Sequence, residues 1–177
     1  MCGIIGIASK KSVTSNIIQS LKKLEYRGYD SAGIATIQDG QIHRRRAEGK
    51  LANLRAHIEQ TPIEGSSGIG HTRWATHGIP NEQNAHPHAT NRVAVVHNGI
   101  IENYQSLKEK LVDAGYVFTS DTDTEVIPQL ITKYLDDGLS PEGAVRACLK
   151  ELEGAFAIAV LFSGEEDLLI AARLGSP

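Results

Sequence analysis

Two hydrophobic periods alternate along this chain, and the switches between them mark its elements. Ile4–Ala8 is a short apolar run, the pattern of a buried strand. Thr14–Glu25 sets Ile17, Ile18, Leu21 and Leu24 on one helical face. Ile34–Gln38 and Gln41–Arg45 read as strands joined at Asp39-Gly40, a dipeptide suited to a two-residue hairpin turn. Leu51–Gln60 is predicted helical and Gly68–Thr72 extended. Val93–His97 is strand-like, and Ile101–Ala114 repeats Ile101, Tyr104, Leu107 and Leu111 at helical spacing before Gly115. Asp123–Leu135 is a further predicted helix, which tolerates Pro128 near its first turn. Ser140-Pro141 opens another with a favoured cap and first residue. Two strands follow, Ala155–Phe162 and Asp167–Ala172. Strands near both ends and helices clustered between them predict an α+β domain of stacked sheets with helices outside. Trp74–Asn91 has no period at all, and long aperiodic segments in compact domains tend to carry function.

Composition narrows the function classes. The chain has 177 residues, 41% hydrophobic and 22% charged, which fits one globular domain and is too short for two of full size. Eighteen basic against 21 acidic side chains leave a formal charge of -3, so no positive field recruits nucleic acid or an anionic membrane. The longest apolar runs fall far short of the ~20 residues of a membrane-spanning helix, and no export signal is recognisable. Two cysteines, Cys2 and Cys148, make no disulfide framework, and a reducing cytoplasm is the expected location. Cys148 falls on the apolar face of its helix, as a small buried hydrophobe.

Several residues could carry chemistry. Cys2 either opens a buried strand or, once Met1 is removed, joins a thiol to a free α-amine. An amine of pKa about 8 can accept a thiol proton, which an amide nitrogen cannot. Asn98-Gly99 is either a hairpin turn or a pair of hydrogen-bond donors for a developing oxyanion; the helical spacing after Gly99 argues against a returning strand. Arg73 offers a planar fork suited to a carboxylate, with Thr76 and His77 close by in sequence, although a lone arginine is usually a solvated charge. Thr122-x-x-Glu125 has the capping-box pattern, while Asp123 beside it could face an ammonium group. Five of seven histidines lie between His71 and His97 without the spacing of any familiar zinc pattern, so no metal is assigned. His43-Arg44-Arg45-Arg46 reads as a solvated strand end, or as a contact for a partner domain.

Six blocks taken in order carry a resemblance. They are Cys2–Gly6, Leu24–Gly33, His71–Gly78, Asn84–His88, Val96–Asn103 and Ser120–Val126. Together they resemble the class II glutamine amidotransferase domain, and more narrowly the amino-terminal domain of the glutamine–fructose-6-phosphate aminotransferases. The resemblance implies an N-terminal nucleophile hydrolase fold, a four-layer α/β/β/α sandwich spanning 2–177 after loss of Met1. It implies glutamine hydrolysis through a cysteinyl thioester at Cys2. Asn98 and Gly99 would hold the oxyanion, Arg73 the substrate α-carboxylate and Asp123 its α-ammonium. Thr76 and His77 would line the pocket, Trp74 would stand near the exit for ammonia, and Arg27 would support the site.

The implied partners are L-glutamine and a sugar-phosphate isomerase domain that this stretch lacks, in a homo-oligomeric full-length enzyme without a cofactor. Relatives that send ammonia to other acceptors share Cys2 and the Asn-Gly pair, but Tyr26–Gly33, His71–Gly78 and His86-Pro87-His88 fit the sugar-phosphate members better. Two competing readings remain: a catalytically silent glutamine-binding module, and a metal-dependent hydrolase built on the histidines.

Overall fold

The computed structural model describes residues 2–74 and 78–175. Strands β1 (Gly3–Ala8), β2 (Ser31–Gln38), β3 (Gln41–Glu48) and β4 (Ser67–Arg73) form one antiparallel sheet in the order β1-β4-β2-β3. Strands β5 (His88–Ala89), β6 (Val93–Ile101), β7 (Gly154–Phe162) and β8 (Glu165–Leu174) form a second, also antiparallel, in sequence order. Helices α1 (Thr14–Leu24) and α2 (Leu51–Gln60) cover the first sheet. Helices α3 (Tyr104–Asp113), α4 (Val126–Asp136) and α5 (Pro141–Glu151) cover the second. The four layers are those of the expected α/β/β/α sandwich.

The two-residue period of a strand sorts its side chains between these layers. On β7, Ile158, Val160 and Phe162 pack under the helices, whereas Ala159 and Leu161 join the layer between the sheets. On β6, Val93 and Val95 go to the helices and Ala94 and Val96 to the inter-sheet layer. On β2, Ala32 and Ile34 meet α1 and α2, while Ala35 and Ile37 turn inward. Strands buried on both faces read as unbroken apolar runs, which is why they were visible without alternation.

On β4 the helix-facing positions are Gly68 and Gly70. A Cβ at Gly70 would come within 2.4 Å of Ile17 Cγ2, so these glycines let α1 lie close on the sheet. Asp39 and Gly40 both have positive φ, as the hairpin reading requires. Ser140 Oγ accepts the Gly143 N–H at 3.2 Å and caps α5, with Pro141 first in the helix. Cys148 is fully buried. No helix among the described residues is long and apolar enough to cross a membrane.

Four expectations need correction. Strand β6 runs through Asn98-Gly99 to Ile101, so Ile101 ends a strand and α3 begins only at Tyr104. Asp123–Glu125 is a single 3-10 turn ahead of α4. Within the stretch read as aperiodic, His88–Ala89 pairs with β6. His43–Arg46 is the half-buried middle of β3, not a solvated end. Arg44 Nη1 donates to Pro87 O, Arg45 Nε to Thr61 O and Arg46 Nη1 to both Gln83 O and Ala85 O, at 2.8–3.0 Å. Backbone carbonyls accept from these guanidinium groups, which staple two loops to the sheet edge.

Candidate active site

The same alternation that builds the inter-sheet layer delivers a polar cluster to one end of it. Ile4 belongs to that layer, so Cys2, two residues earlier, shares its face of the sheet. Ile69 belongs to it, and His71 and Arg73 follow at two-residue steps. Val96 belongs to it, and Asn98 follows. The register Gly3↔Thr72 brings the start of β1 beside the end of β4. Cys2, Arg73, Trp74, Asn98, Gly99 and Asp123 all line one cavity of about 240 Å³, together with His86, His97, Ile100, Thr122 and Thr124.

Cys2 is half-buried. Its Sγ accepts the Trp74 N–H at 3.3 Å and lies 3.6 Å from Trp74 O, and its carbonyl accepts from Asn98 Nδ2 at 3.4 Å. Burial pushes the thiol pKa above its ordinary value, and the Trp74 N–H opposes that shift. Gly28 is wedged against the backbone beside the sulfur: a Cβ there would stand 2.7 Å from Arg73 O. The Trp74 ring is half exposed, with Tyr29 edge-on at 5.7 Å.

Arg73 is 3% exposed and donates to Gly78 O at 3.1 Å and to Ile79 O at 3.4 Å. Asn84, fully buried, ties this loop down by donating to Ile79 O and accepting from Asp121 N. Gly99 has φ +137°, and a Cβ on it would fall 2.1 Å from Ala155 O. Only glycine fits there, because a side chain would overlap the β7 backbone and φ lies in a region that L residues rarely adopt. Asp123 is 4% exposed and its Oδ2 accepts the Ile101 N–H at 2.9 Å, which fixes the carboxylate against the end of β6.

The capping box is not formed. Glu125 instead reaches back to Thr119 N, Ser120 N and Ser120 Oγ at 2.6–2.9 Å, while Thr122 Oγ1 meets His88 Nε2 at 3.0 Å. The carboxylate closes the preceding loop because the turn at Asp123 is too short to need it.

The histidines stack and hydrogen-bond with one another. His71 and His86 lie ring on ring at 4.1 Å, and His88 meets His86 edge-on at 4.7 Å. His71 Nε2 donates to His97 O at 2.9 Å. Burial drives His71 down to about 3 and His86 and His88 well below their ordinary value, so all three are neutral near pH 7. Among the described residues no three His, Cys, Asp or Glu side chains are grouped to hold a metal ion.

Of the nine site residues the resemblance implies, six therefore line one cavity. Arg27 ends the 3-10 turn Glu25–Arg27 and does not line it. Thr76 and His77 lie outside the described residues. Thr122, Thr124 and Ile100 were not read as cavity residues, and the crowding of histidines, read only for a metal, was the one signal that this region is polar and buried.

Residues 71–175 match the model of the family described as glutamine amidotransferase domain. The chain belongs to that family. It is 59% identical over its whole length to a glutamine–fructose-6-phosphate aminotransferase [isomerizing] of Bartonella henselae and 58% identical to one of Brucella suis, in each case covering 29% of the relative. This amidotransferase chain thus spans under a third of the length of the curated relatives it matches. Among solved structures it is similar to the glutamine phosphoribosylpyrophosphate amidotransferase of B. subtilis. That match has a TM-score of 0.82 and 26% identity, over 98% of this chain and 37% of that one. The sandwich is accordingly of the N-terminal nucleophile hydrolase type.

Proposed function

We propose that this chain is the glutaminase part of a glutamine–fructose-6-phosphate aminotransferase, using Cys2 as nucleophile. The supporting observation is a cavity with a thiol, an Asn-Gly pair, a buried guanidinium and a buried carboxylate on its walls. Glutamine has a matching set of groups: an amide to be attacked, a carboxylate for Arg73 and an ammonium for Asp123.

A thiol kept protonated by burial needs a base within reach. With Met1 removed, the α-amine of Cys2 takes the Sγ proton as sulfur attacks the side-chain carbonyl carbon of glutamine. The negative charge moves to the carbonyl oxygen, where Asn98 Nδ2 and the Gly99 N–H stabilise it. The ammonium returns its proton to the amide nitrogen, the C–N bond breaks, and ammonia leaves with a thioester behind. Water then adds to the thioester, and glutamate and the free thiol are restored. Thr76 and His77 belong to the pocket wall in this reading, Trp74 to the side by which ammonia leaves, and Arg27 to the support behind Gly28.

In the longer protein, the ammonia would pass to a sugar-phosphate isomerase domain and convert fructose 6-phosphate to glucosamine 6-phosphate. Identities of 58–59% to the sugar-phosphate enzymes against 26% to the phosphoribosyl one favour this acceptor.

The test is glutamate release from glutamine. Cys2→Ala lowers it at least about a thousandfold, and the intact mass of active protein lacks the initiator methionine. Equal rates for wild type and Cys2→Ala overturn the reading. A silent binding module would bind glutamine yet give no covalent adduct with a diazo ketone analogue.

A further inference from the structure

At the back wall of the cavity, a chain of hydrogen bonds and one ring stack link β4, β6 and the turn before α4. His71, two residues before Arg73, donates from Nε2 to the carbonyl of His97, the residue before Asn98. His97 Nδ1 lies 2.8 Å from Thr124 Oγ1, and Thr124 follows Asp123. The same hydroxyl lies 2.9 Å from His86 Nε2, and His86 stacks on His71. Thr124 is 1% exposed, and the three rings are 0–5% exposed.

A proton inventory shows what the hydroxyl does. It has one proton and two ring nitrogens to serve, so it must donate to one and accept from the other. A carbonyl only accepts, so His71 carries its proton on Nε2. Thr124 therefore couples the tautomer of His86 to that of His97. It also fixes the short turn Asp123–Glu125 to β6. The Asp123 carboxylate itself is anchored to the backbone by the Ile101 N–H. A turn of three residues has little stiffness of its own, so the placement of that carboxylate depends on what holds its neighbour.

We propose that Thr124 is a positioning residue for Asp123, whose hydroxyl, clamped between His86 and His97, holds the carboxylate where it meets the α-ammonium of the substrate. This rests on the glutaminase reading. A misplaced carboxylate weakens recognition of the ammonium and leaves the sulfur, the Asn98-Gly99 pair and Arg73 in place. The loss therefore falls on KM rather than kcat, and only for substrates that carry the ammonium.

The experiment compares glutamine with glutaramate, the same molecule without its α-ammonium, in the full-length enzyme. Wild type and Cys2→Ala are measured first; activity that survives Cys2→Ala removes the underlying reading and is distinct from any result at position 124. Thr124→Val, equal in volume and without the hydroxyl, is expected to raise KM for glutamine on the order of tenfold, the scale of one buried hydrogen bond. Its kcat and its KM for glutaramate are expected to stay within about twofold. Thr124→Ser restores the glutamine KM. An unchanged glutamine KM in Thr124→Val overturns the proposal. So does an equal loss for both substrates, or a serine variant as impaired as valine, since each points to packing alone. If Thr124→Val does not fold, Thr124→Cys, a weak donor of similar size, replaces it with the same expectations.

Discussion

The two ends of the inter-sheet layer are built from the same strands and behave as opposites. At one end Ala35, Ile37, Ile69, Ala94, Val96, Ala159 and Leu161 close on each other as an apolar cluster. Two to four residues past Ile69 on β4 stand His71 and Arg73, and directly past Val96 on β6 stand His97 and Asn98, with Asp123 and Thr124 against them. The apolar end needs only volume, and its small residues bring the sheets close. The polar end must satisfy buried donors and acceptors, and chains of bonds that cross from β4 to β6 to the turn before α4 meet part of that need, while His71 Nδ1 and His86 Nδ1 have no hydrogen-bond partner among the described residues. Stability therefore resides in one end and chemistry in the other, on one continuous scaffold.

The largest break in that comparison comes from Gly99→Ala. The new Cβ overlaps Ala155 O at 2.1 Å, on a backbone at φ +137°. Strain and overlap together cost about 4 kcal/mol. Glutaminase turnover should fall at least about a hundredfold, because β6 must move away from Cys2 to relieve the clash. Urea unfolding and glutamate release, measured together, check it; normal activity would mean that β7 yields instead.

Acid attacks the polar end through its buried histidines. His71 titrates at about 3 when folded and about 6.5 when unfolded, so between these values the unfolded chain binds more protons. The stability it contributes is complete above pH 6.5 and is lost as pH falls toward 3. By pH 5.5 the loss is about 1.4 kcal/mol for His71, and His86 and His88, also driven down by burial, add to it in the same direction. Urea midpoints at pH 8 and 5.5 measure it. A His71→Gln variant should show a shallower fall than wild type.

Ile69→Ala breaks the other end. A fully buried isoleucine at the middle of β4 leaves a cavity between the sheets worth about 3 kcal/mol. The expected signature is a lower urea midpoint with the KM for glutamine and the pH profile of turnover unchanged. A raised KM would show that the two ends are mechanically coupled through β4.

The same contrast decides what could be read from sequence. The apolar runs Ile4–Ala8 and Ala155–Phe162 were legible because a strand buried on both faces has no polar residue to interrupt it. The helices were legible from their apolar spacing, as with Ile17 and Leu21 on α1. At the polar end the pattern fails for a physical reason: a polar residue at a buried strand position looks the same as one at a strand's end. Thus β6 seemed to stop at His97, although it continues to Ile101 with Asn98-Gly99 in extended pairing to β7. His88–Ala89 was hidden by histidine and proline around it. Cys2, Arg73, Asn98 and Asp123 could be named from residue chemistry, motif order and resemblance, but their meeting depends on the register of β1 against β4. Thr124 gave no signal, since a threonine's role lies in which partners surround its hydroxyl.

The arginines of β3 supply the smallest and most discriminating effect. Arg46 Nη1 donates to Gln83 O and Ala85 O, both at 3.0 Å, and Arg44 beside it to Pro87 O. Arg46→Met keeps the stem and removes these bonds, each charge-assisted and so of more than average strength. Two terms offset that gain in the native protein. Burial holds Arg46 down to about 10, and Arg44 opposes its charge, so removing the guanidinium also removes a desolvation penalty and a like-charge contact. The net expectation is a loss of about 1 kcal/mol. It should appear as faster proteolytic nicking within residues 78–88 rather than as a large shift in the urea midpoint. Because Arg73 is bonded to Gly78 and Ile79 at the other end of that loop, the variant should also show a modestly altered KM for glutamine. An unchanged nicking rate would mean that Asn84, Arg73 and Arg44 secure the loop without Arg46, and that the Arg46 staple does not contribute to the order of the site.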